Sequence, residues 1–229
     1  MNKRLETIAR FIKSGGVIDV GTDHGYLPVE LALRGYAGRI LASDINSAPL
    51  ALAERNAEAA VVSDKIEFLL CDGLEGCDGR GLDTIVIAGM GGDTICGILD
   101  RAEWYMDRRY TLVFQPMTKA EILRYWLVNN EFEIEAEALV SDAGTLYQVF
   151  TARFGGKTAL SDAELFTGSF PMIRTDPLFP RLLRRLTGRF EKAVGSMEDS
   201  SAGTLHPGRE ALMRGILAEL EEMNENGDS

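Results

Sequence analysis

Cysteine is scarce in this chain: three in 229 residues, at positions 71, 77 and 96. An odd number without metal-ligand spacing argues against a disulfide framework and against a metal site, and suits reduced thiols in a cytoplasm. Cys71 and Cys96 lie in apolar runs and are expected as small buried hydrophobes. Long apolar runs are missing as well; no stretch approaches the roughly 18 unbroken apolar residues of a membrane span. The opening MNKRLETIARFIKSGG lacks the apolar core and small-residue cleavage site of a secretion signal. Its Leu5, Ile8, Phe11 and Ile12 fall at helical spacing and predict an amphipathic helix instead. Positive charge is also short, with 24 Lys and Arg against 35 Asp and Glu and a net charge of -11. That excludes a uniformly basic nucleic-acid surface, so any phosphate-binding patch must be local.

What the chain does have is alternation. GVIDV (16–20), RILASD (39–44), KIEFLL (65–70), LDTIVIAG (82–89) and TLVFQP (111–116) predict strands. YLPVELALRG, APLALAERNAEAA, DTICGILDRA and TKAEILRYWLVNN predict helices. Such alternation implies an α/β fold with parallel pairing and helices on both faces. FEIEAEALVSD and TLYQVFTARF then follow each other across Ala143-Gly144 with no helix between, so they pair antiparallel. αβ units closed by such a hairpin are the signature of a Rossmann-like class I methyltransferase sheet, mostly parallel, in which one edge strand runs against the rest.

Residues 155–176 are rich in Gly, Thr and Pro and read as a linker. Beyond them Leu178, Leu182, Leu183, Leu186, Phe190, Val194 and Met197 recur at helical spacing. After the break DSSAGTLHPG, so do Leu212, Met213, Ile216, Leu217, Leu220 and Met223. Two domains are expected: residues 1–155 as the sheet domain and 156–229 as an antiparallel helical hairpin of coiled-coil type. His206, in the break, is expected as solvated surface.

The turn after the first strand reads Gly21-Thr22-Asp23-His24-Gly25. A dinucleotide fingerprint needs a glycine where Asp23 stands, and the Asp23 carboxylate would repel a pyrophosphate. S-adenosylmethionine carries a sulfonium and an ammonium and no phosphate, so it suits acids here. Asp19 at the end of the first strand can face its amino-acid half, and Asp44, with Ile45 and Asn46 beside it, its ribose hydroxyls. Asp72, before Gly73, can accept from its adenine amine. The fourth strand ends in Ala88-Gly89-Met90-Gly91-Gly92, a bare backbone that a flat ring can approach. Gln115-Pro116 ends the fifth strand and borders the same pocket.

Together KRLETIARFI, DVGTDHGYLP, ASDIN with Pro49, CDGL, IAGMGG and FQPM followed by LRYWL resemble the bacterial tRNA (adenine-N1) methyltransferase family that modifies the adenine at tRNA position 22; the matching pieces span residues 3 to 150. ASDIN departs in carrying Asp where many members carry Glu, and FQPM departs in carrying Met117 where a polar residue is expected. The resemblance implies methyl transfer from S-adenosylmethionine to N1 of a purine in tRNA. Adenine N1 has an in-plane lone pair and needs no general base, whereas the product cation needs stabilising. Asp23 and the backbone of Gly89-Met90 are the candidates for that. His24 and Tyr26 are candidates for stacking on the flipped base, with packing beneath the first helix the alternative for Tyr26.

Arg181, Arg184, Arg185, Arg189 and Lys192 share one side of the first C-terminal helix, at about 100° per residue opposite the apolar stripe. Lys3, Arg4, Arg10 and Lys13 gather near the amino terminus. The helix is either a plain solvated face or a clamp on tRNA phosphates, with Arg181, Arg185 and Arg189 on the RNA. Arg4, Gly92, Gln115 and Pro116 are expected on the substrate side of the pocket. Rival readings are a methyltransferase of a small molecule or protein, and a non-catalytic module that senses the cofactor. A monomer is favoured, without a metal.

Overall fold

The computed structural model describes residues 2–198 and 207–227. The chain divides into two compact units, residues 1–158 and 159–229. The first unit opens with α1 (Lys3–Phe11), whose first turn is capped by the Asn2 side chain accepting from the Leu5 N–H. There follow β1 (Val17–Val20), α2 (Tyr26–Leu33), β2 (Ile40–Asp44), α3 (Ser47–Ala59), β3 (Ile66–Leu70), β4 (Thr84–Gly91) and α4 (Gly92–Leu99). β5 (Thr111–Thr118), α5 (Ala120–Asn129), β6 (Phe132–Asp142) and β7 (Thr145–Phe154) complete it.

The seven strands form one sheet in the order β3-β2-β1-β4-β5-β7-β6. β1 to β5 pair in parallel, and β7 is antiparallel to both neighbours. The expected opposing strand is therefore β7, but it is not at the edge. The hairpin folds so that β7 enters beside β5, and β6, at the edge, runs with the parallel strands.

Side-chain alternation along the strands sorts the core. Val17, Ile40, Ala42, Val86, Val113 and Val149 meet Leu5 and Ile8 of α1, Leu27 and Leu31 of α2, and Ala57 of α3. Residues of the other parity, among them Ile18, Ile85, Ile87, Leu112 and Phe114, are buried on the opposite face. α4 and α5 pack together and against β4, β5 and β6. Arg124 of α5 and Glu137 of β6 form an ion pair of 2.6 Å with both side chains all but inaccessible, and the guanidinium lies 4.5 Å from the Phe150 ring centroid. Removing either partner strands a buried charge, at a cost of about 3–5 kcal/mol. Cys96 is buried, as expected, whereas Cys71 is only half-buried.

In the second unit the expected linker is folded. Residues Asp162–Thr167 form α6 and Phe170–Ile173 form α7. Ser161 and Glu164 make a reciprocal capping box, and Glu164 also accepts from the Phe170 N–H at 2.7 Å. The S-x-x-E pattern stands in the sequence, hidden among glycines and threonines. α8 (Phe179–Glu198) and α9 (Pro207–Gly227) pack on each other. Leu182, Leu183, Leu186, Phe190 and Val194 are buried on α8, and Ile216, Leu220 and Met223 on α9, while Leu212 is exposed. His206 and most of the turn expected between these helices lie outside the described residues. No helix among the described residues is long and apolar enough to cross a membrane.

Candidate active site

Parallel strands end on one edge of the sheet, where β1 hands over to the 21–25 turn and β4 to Gly89-Met90-Gly91. The crevice they make holds a cavity of about 220 Å³. Asp19, Gly21, Thr22, Asp23 and His24 line one side, Ala88, Gly89 and Met90 another, and Arg4, Leu5, Tyr26, Leu27 and Met117 the rest. Strand register explains the grouping. Asp19 shares the α1 face of β1 with Val17, and on β4 Ala88 shares it with Val86.

The turn is not a phosphate cradle. A cradle needs backbone N–H groups aimed outward. Here Thr22 N–H donates to the Ser43 carbonyl at 2.8 Å and Gly25 N–H to the Thr22 carbonyl at 2.9 Å, and Asp23 N–H donates to the Asp44 carboxylate at 3.2 Å. Gly21 has φ +69°, and a Cβ there would stand 2.0 Å from the Met90 methyl carbon, so a thioether covers the turn. Asp23 itself takes φ +53°, a left-handed conformation rare outside glycine, and this turns its carboxylate out beside His24, 3.4 Å from Nε2. His24 and Tyr26 stack with centroids 5.2 Å apart and planes 12° from parallel. Tyr26 is 59% exposed, so of its two expected roles the packed one beneath α1 does not hold.

Asp19 is buried and accepts from the Thr22 hydroxyl at 2.7 Å. Burial pushes its carboxyl up to about 6, against the opposing influence of the Thr22 hydrogen bond and the Arg4 charge. Asp44 is also buried. Its two oxygens accept from the Asp23 and Asn46 N–H groups, at 3.2 and 2.9 Å. These bonds fix the carboxylate and leave lone pairs for a pair of hydroxyls. Ile45, next along, is exposed, as is Leu70 at the end of the neighbouring strand β3. Together they offer apolar surface to a flat ring.

Several expected residues are engaged by neighbouring protein groups or buried. The Asp72 carboxylate, expected to accept from an adenine amine, is engaged by Arg101 at 2.7 Å, and Gly73 backs onto Ile98. Gly89 is exposed in the pocket, but Gly92 is buried: a Cβ there would lie 2.1 Å from the Lys119 carbonyl oxygen. Gly92 therefore allows α4 to begin against β5, and Gly91 caps that helix. Gln115 and Pro116 are buried as well, so neither presents a side chain to a substrate. The exposed residues at that strand end are Met117 and Thr118, and Met117, on the same face of β5 as Val113 and Gln115, lines the pocket. Arg4, expected on the substrate side of the pocket, lines it and donates to the Gln115 amide oxygen at 2.5 Å.

Comparison with known proteins decides the family. A methyltransferase-domain family matches residues 1–150. Over 163 residues the chain is 33% identical to the tRNA (adenine(22)-N(1))-methyltransferase of Bacillus subtilis, covering 71% of this chain and 68% of that protein. The chain belongs to the tRNA (adenine(22)-N1)-methyltransferase family. Among solved structures, Streptococcus pneumoniae Sp1610 in complex with S-adenosyl-L-methionine is similar, with a TM-score of 0.78, 28% identity, and coverage of 98% of this chain and 99% of that one. The B. subtilis M1A22 tRNA methyltransferase TrmK shares the fold, with a TM-score of 0.86 at 24% identity over 98% of each chain. The methyltransferase-domain match ends before α6, whereas these whole-chain likenesses also take in α6 to α9.

In the second unit Arg181, Arg184, Arg185, Arg189 and Lys192 are exposed along α8. The Arg189 guanidinium lies 5.5 and 5.7 Å from the ring centroids of Phe166 and Phe190. Arg185 is held below the usual arginine range, first by burial and then by the charges of Arg181 and Arg189. This is a concentrated positive patch on an acidic protein.

Proposed function

We propose that this protein transfers the methyl group of S-adenosylmethionine to N1 of adenine 22 in tRNA. The observation that carries the reading is the match to the B. subtilis enzyme of that name. The crevice itself fits the cofactor: buried carboxylates suit an ammonium and ribose hydroxyls, and the turn's bonded amides leave little for a diphosphate. When bound, the cofactor supplies an electrophilic methyl on sulfur.

The residues do the positioning. Asp44 holds the ribose, Ile45 faces the adenine edge, and Asp19 faces the methionine half. Gly89, Met90 and Met117 border the opening through which a base enters. The parallel His24–Tyr26 pair offers a platform for a base flipped out of the RNA. As the methyl reaches N1 the ring becomes cationic. The exposed Asp23 carboxylate and the Gly89-Met90 backbone are suited to stabilise that charge and to accept from the exocyclic amine. No group is needed to take a proton before attack, because the N1 lone pair is free. Arg181, Arg185 and Arg189 hold tRNA phosphates through local charge. The reading takes the protein as a cytoplasmic monomer of two domains.

The test is incubation with unmodified tRNA and labelled cofactor, followed by nuclease mapping. One labelled 1-methyladenosine at position 22 is expected; label in another base, or in no RNA at all, would overturn the reading.

A further inference from the structure

A second cavity in the sheet unit, of about 350 Å³, lies at the other edge of the sheet, where α1 ends and β5 begins. Thr111 and Thr151 line it from the sheet, Arg10 and Lys13 from the end of α1, and Glu135 and Ala136 from β6. Strand register sets a polar floor there. Thr84 and Thr111 are partners on β4 and β5, each two residues before a core valine, and Thr151 is the partner of Val113. All three therefore share the α1 face of the sheet, and all three are buried. Buried hydroxyls normally find partners, and these are short of them. The Thr84 and Thr151 hydroxyls have none among the described residues. Thr111 accepts from Arg153 Nη2 at 3.0 Å, which leaves its own proton to give. Arg153 Nε is unsatisfied too, since Glu135 lies 3.0 Å away but out of line for a hydrogen bond.

Glu135 stands where β6 slips against β7, between Ile134 and Ala136, and such a bulge re-aims side chains and opens a strand. Its carboxylate is matched in charge by Arg153. Arg10 is exposed and stands 3.9 Å from Glu6. Lys13 is exposed as well and pairs with no carboxylate of the described residues. Three cations thus meet two carboxylates. The surplus is a single positive charge, beside hydroxyls with protons to donate.

We infer that this cavity seats one backbone phosphodiester of the substrate RNA, with Lys13 and Arg10 supplying the charge and Thr151 and Thr111 the hydroxyl donors. This goes beyond the reading above and rests on its assignment of an RNA substrate. A surplus of one charge suits a phosphodiester, which carries one, better than a free phosphate, which carries more. Bonds from hydroxyls to a phosphate are charge-assisted and directional, so the seat reads position and not sequence. α1 also links the two sites. Arg4 borders the crevice and Arg10 this cavity, about 9 Å apart along the helix axis, a short step beside the size of a tRNA. The α8 face can then draw RNA by charge, while this seat fixes which phosphate lies beside α1 and so the register in which an adenine reaches the crevice.

The test is tRNA affinity in a gel shift across a salt series, with S-adenosylhomocysteine calorimetry to show that each variant is folded. Arg10→Gln combined with Lys13→Gln should weaken tRNA about tenfold and lower the salt slope by about 0.7–0.9, the share of one phosphate. Thr151→Val removes a hydroxyl and keeps the shape; it should weaken tRNA about fivefold with the slope unchanged. Glu135→Gln removes a repelling charge and should tighten tRNA about threefold. S-adenosylhomocysteine binding should stay the same in all of them. Unchanged tRNA affinity in Thr151→Val would reduce the cavity to a water-filled hollow on a basic surface and overturn the seat. Inorganic phosphate, titrated by calorimetry, separates the two sources of the anion. Thr151-dependent binding of phosphate, with tRNA affinity unchanged in every variant, would also overturn the RNA assignment. If the unaltered protein binds S-adenosylhomocysteine but no tRNA, the RNA-substrate reading itself fails, and the seat with it.

Discussion

The strand-end crevice and the arginine face of α8 handle charge in opposite ways. In the crevice three charged groups are buried or half-buried and each is fixed by a named bond, Thr22 to Asp19, the Asp23 and Asn46 amides to Asp44, and Gln115 to Arg4, while the Asp23 carboxylate is exposed. On α8 the cations are exposed, of one sign, and packed closely enough to perturb one another. The first arrangement selects a small ligand by geometry. The second suits a polyanion drawn by field strength, a mode of binding that tolerates imprecise placement and weakens with salt. On the proposed function the two tasks fall on different units with different charge, and that is how an acidic protein would hold RNA.

The largest effect that would break this contrast is in the crevice. Asp44→Ala removes the acceptor for two hydroxyls and should weaken S-adenosylhomocysteine about 100-fold by calorimetry, with tRNA affinity in a gel shift untouched. Next, charge reversal of Arg181, Arg185 and Arg189 to Glu should weaken tRNA about 30-fold. It should also flatten the salt dependence by about 0.7–0.9 for each phosphate no longer neutralised, with cofactor affinity intact. Unchanged tRNA binding would remove α8 from the RNA site.

A smaller effect comes from pH. Asp19, near 6 in the ligand-free protein, feels Thr22, Arg4 and Asp44. Binding an ammonium needs it ionised, so affinity for S-adenosylhomocysteine should fall about tenfold between about pH 7.5 and about pH 5, while methylthioadenosine is unaffected. The smallest effect concerns stability. The Asp19 carboxyl binds its proton more tightly folded than unfolded. Its contribution to folding is thus full below 3.8 and lost as pH rises through about 6. Asp19→Asn should accordingly raise the melting temperature of the ligand-free protein at neutral pH by a few degrees.

Much of the sheet unit was legible because strand burial is repetitive. β6 and β7 begin and end where the apolar runs do, and acids at the ends of β1 and β2 announce the ligand edge. The insertion of β7 beside β5 was not legible, since pairing partners across a hairpin cannot be read from its own residues. Asp72 looked equivalent to Asp19 and Asp44 until Arg101, 29 residues away, appeared beside it. Gln115 and Met117 exchanged roles for a similar reason. Polarity suggested exposure for the glutamine, whereas its position within a strand buried on both faces and its bond from Arg4 keep it inside. The stretch 155–176 misled through composition, although Ser161 and Glu164 signalled a helix start.

The most direct check of the central claim, that the crevice is built for a cationic nucleoside rather than a diphosphate, is calorimetric titration of the intact protein with S-adenosylmethionine and with NAD. Saturable binding of S-adenosylmethionine and none of NAD is the expected result. Binding of NAD with no uptake of S-adenosylmethionine would contradict the account.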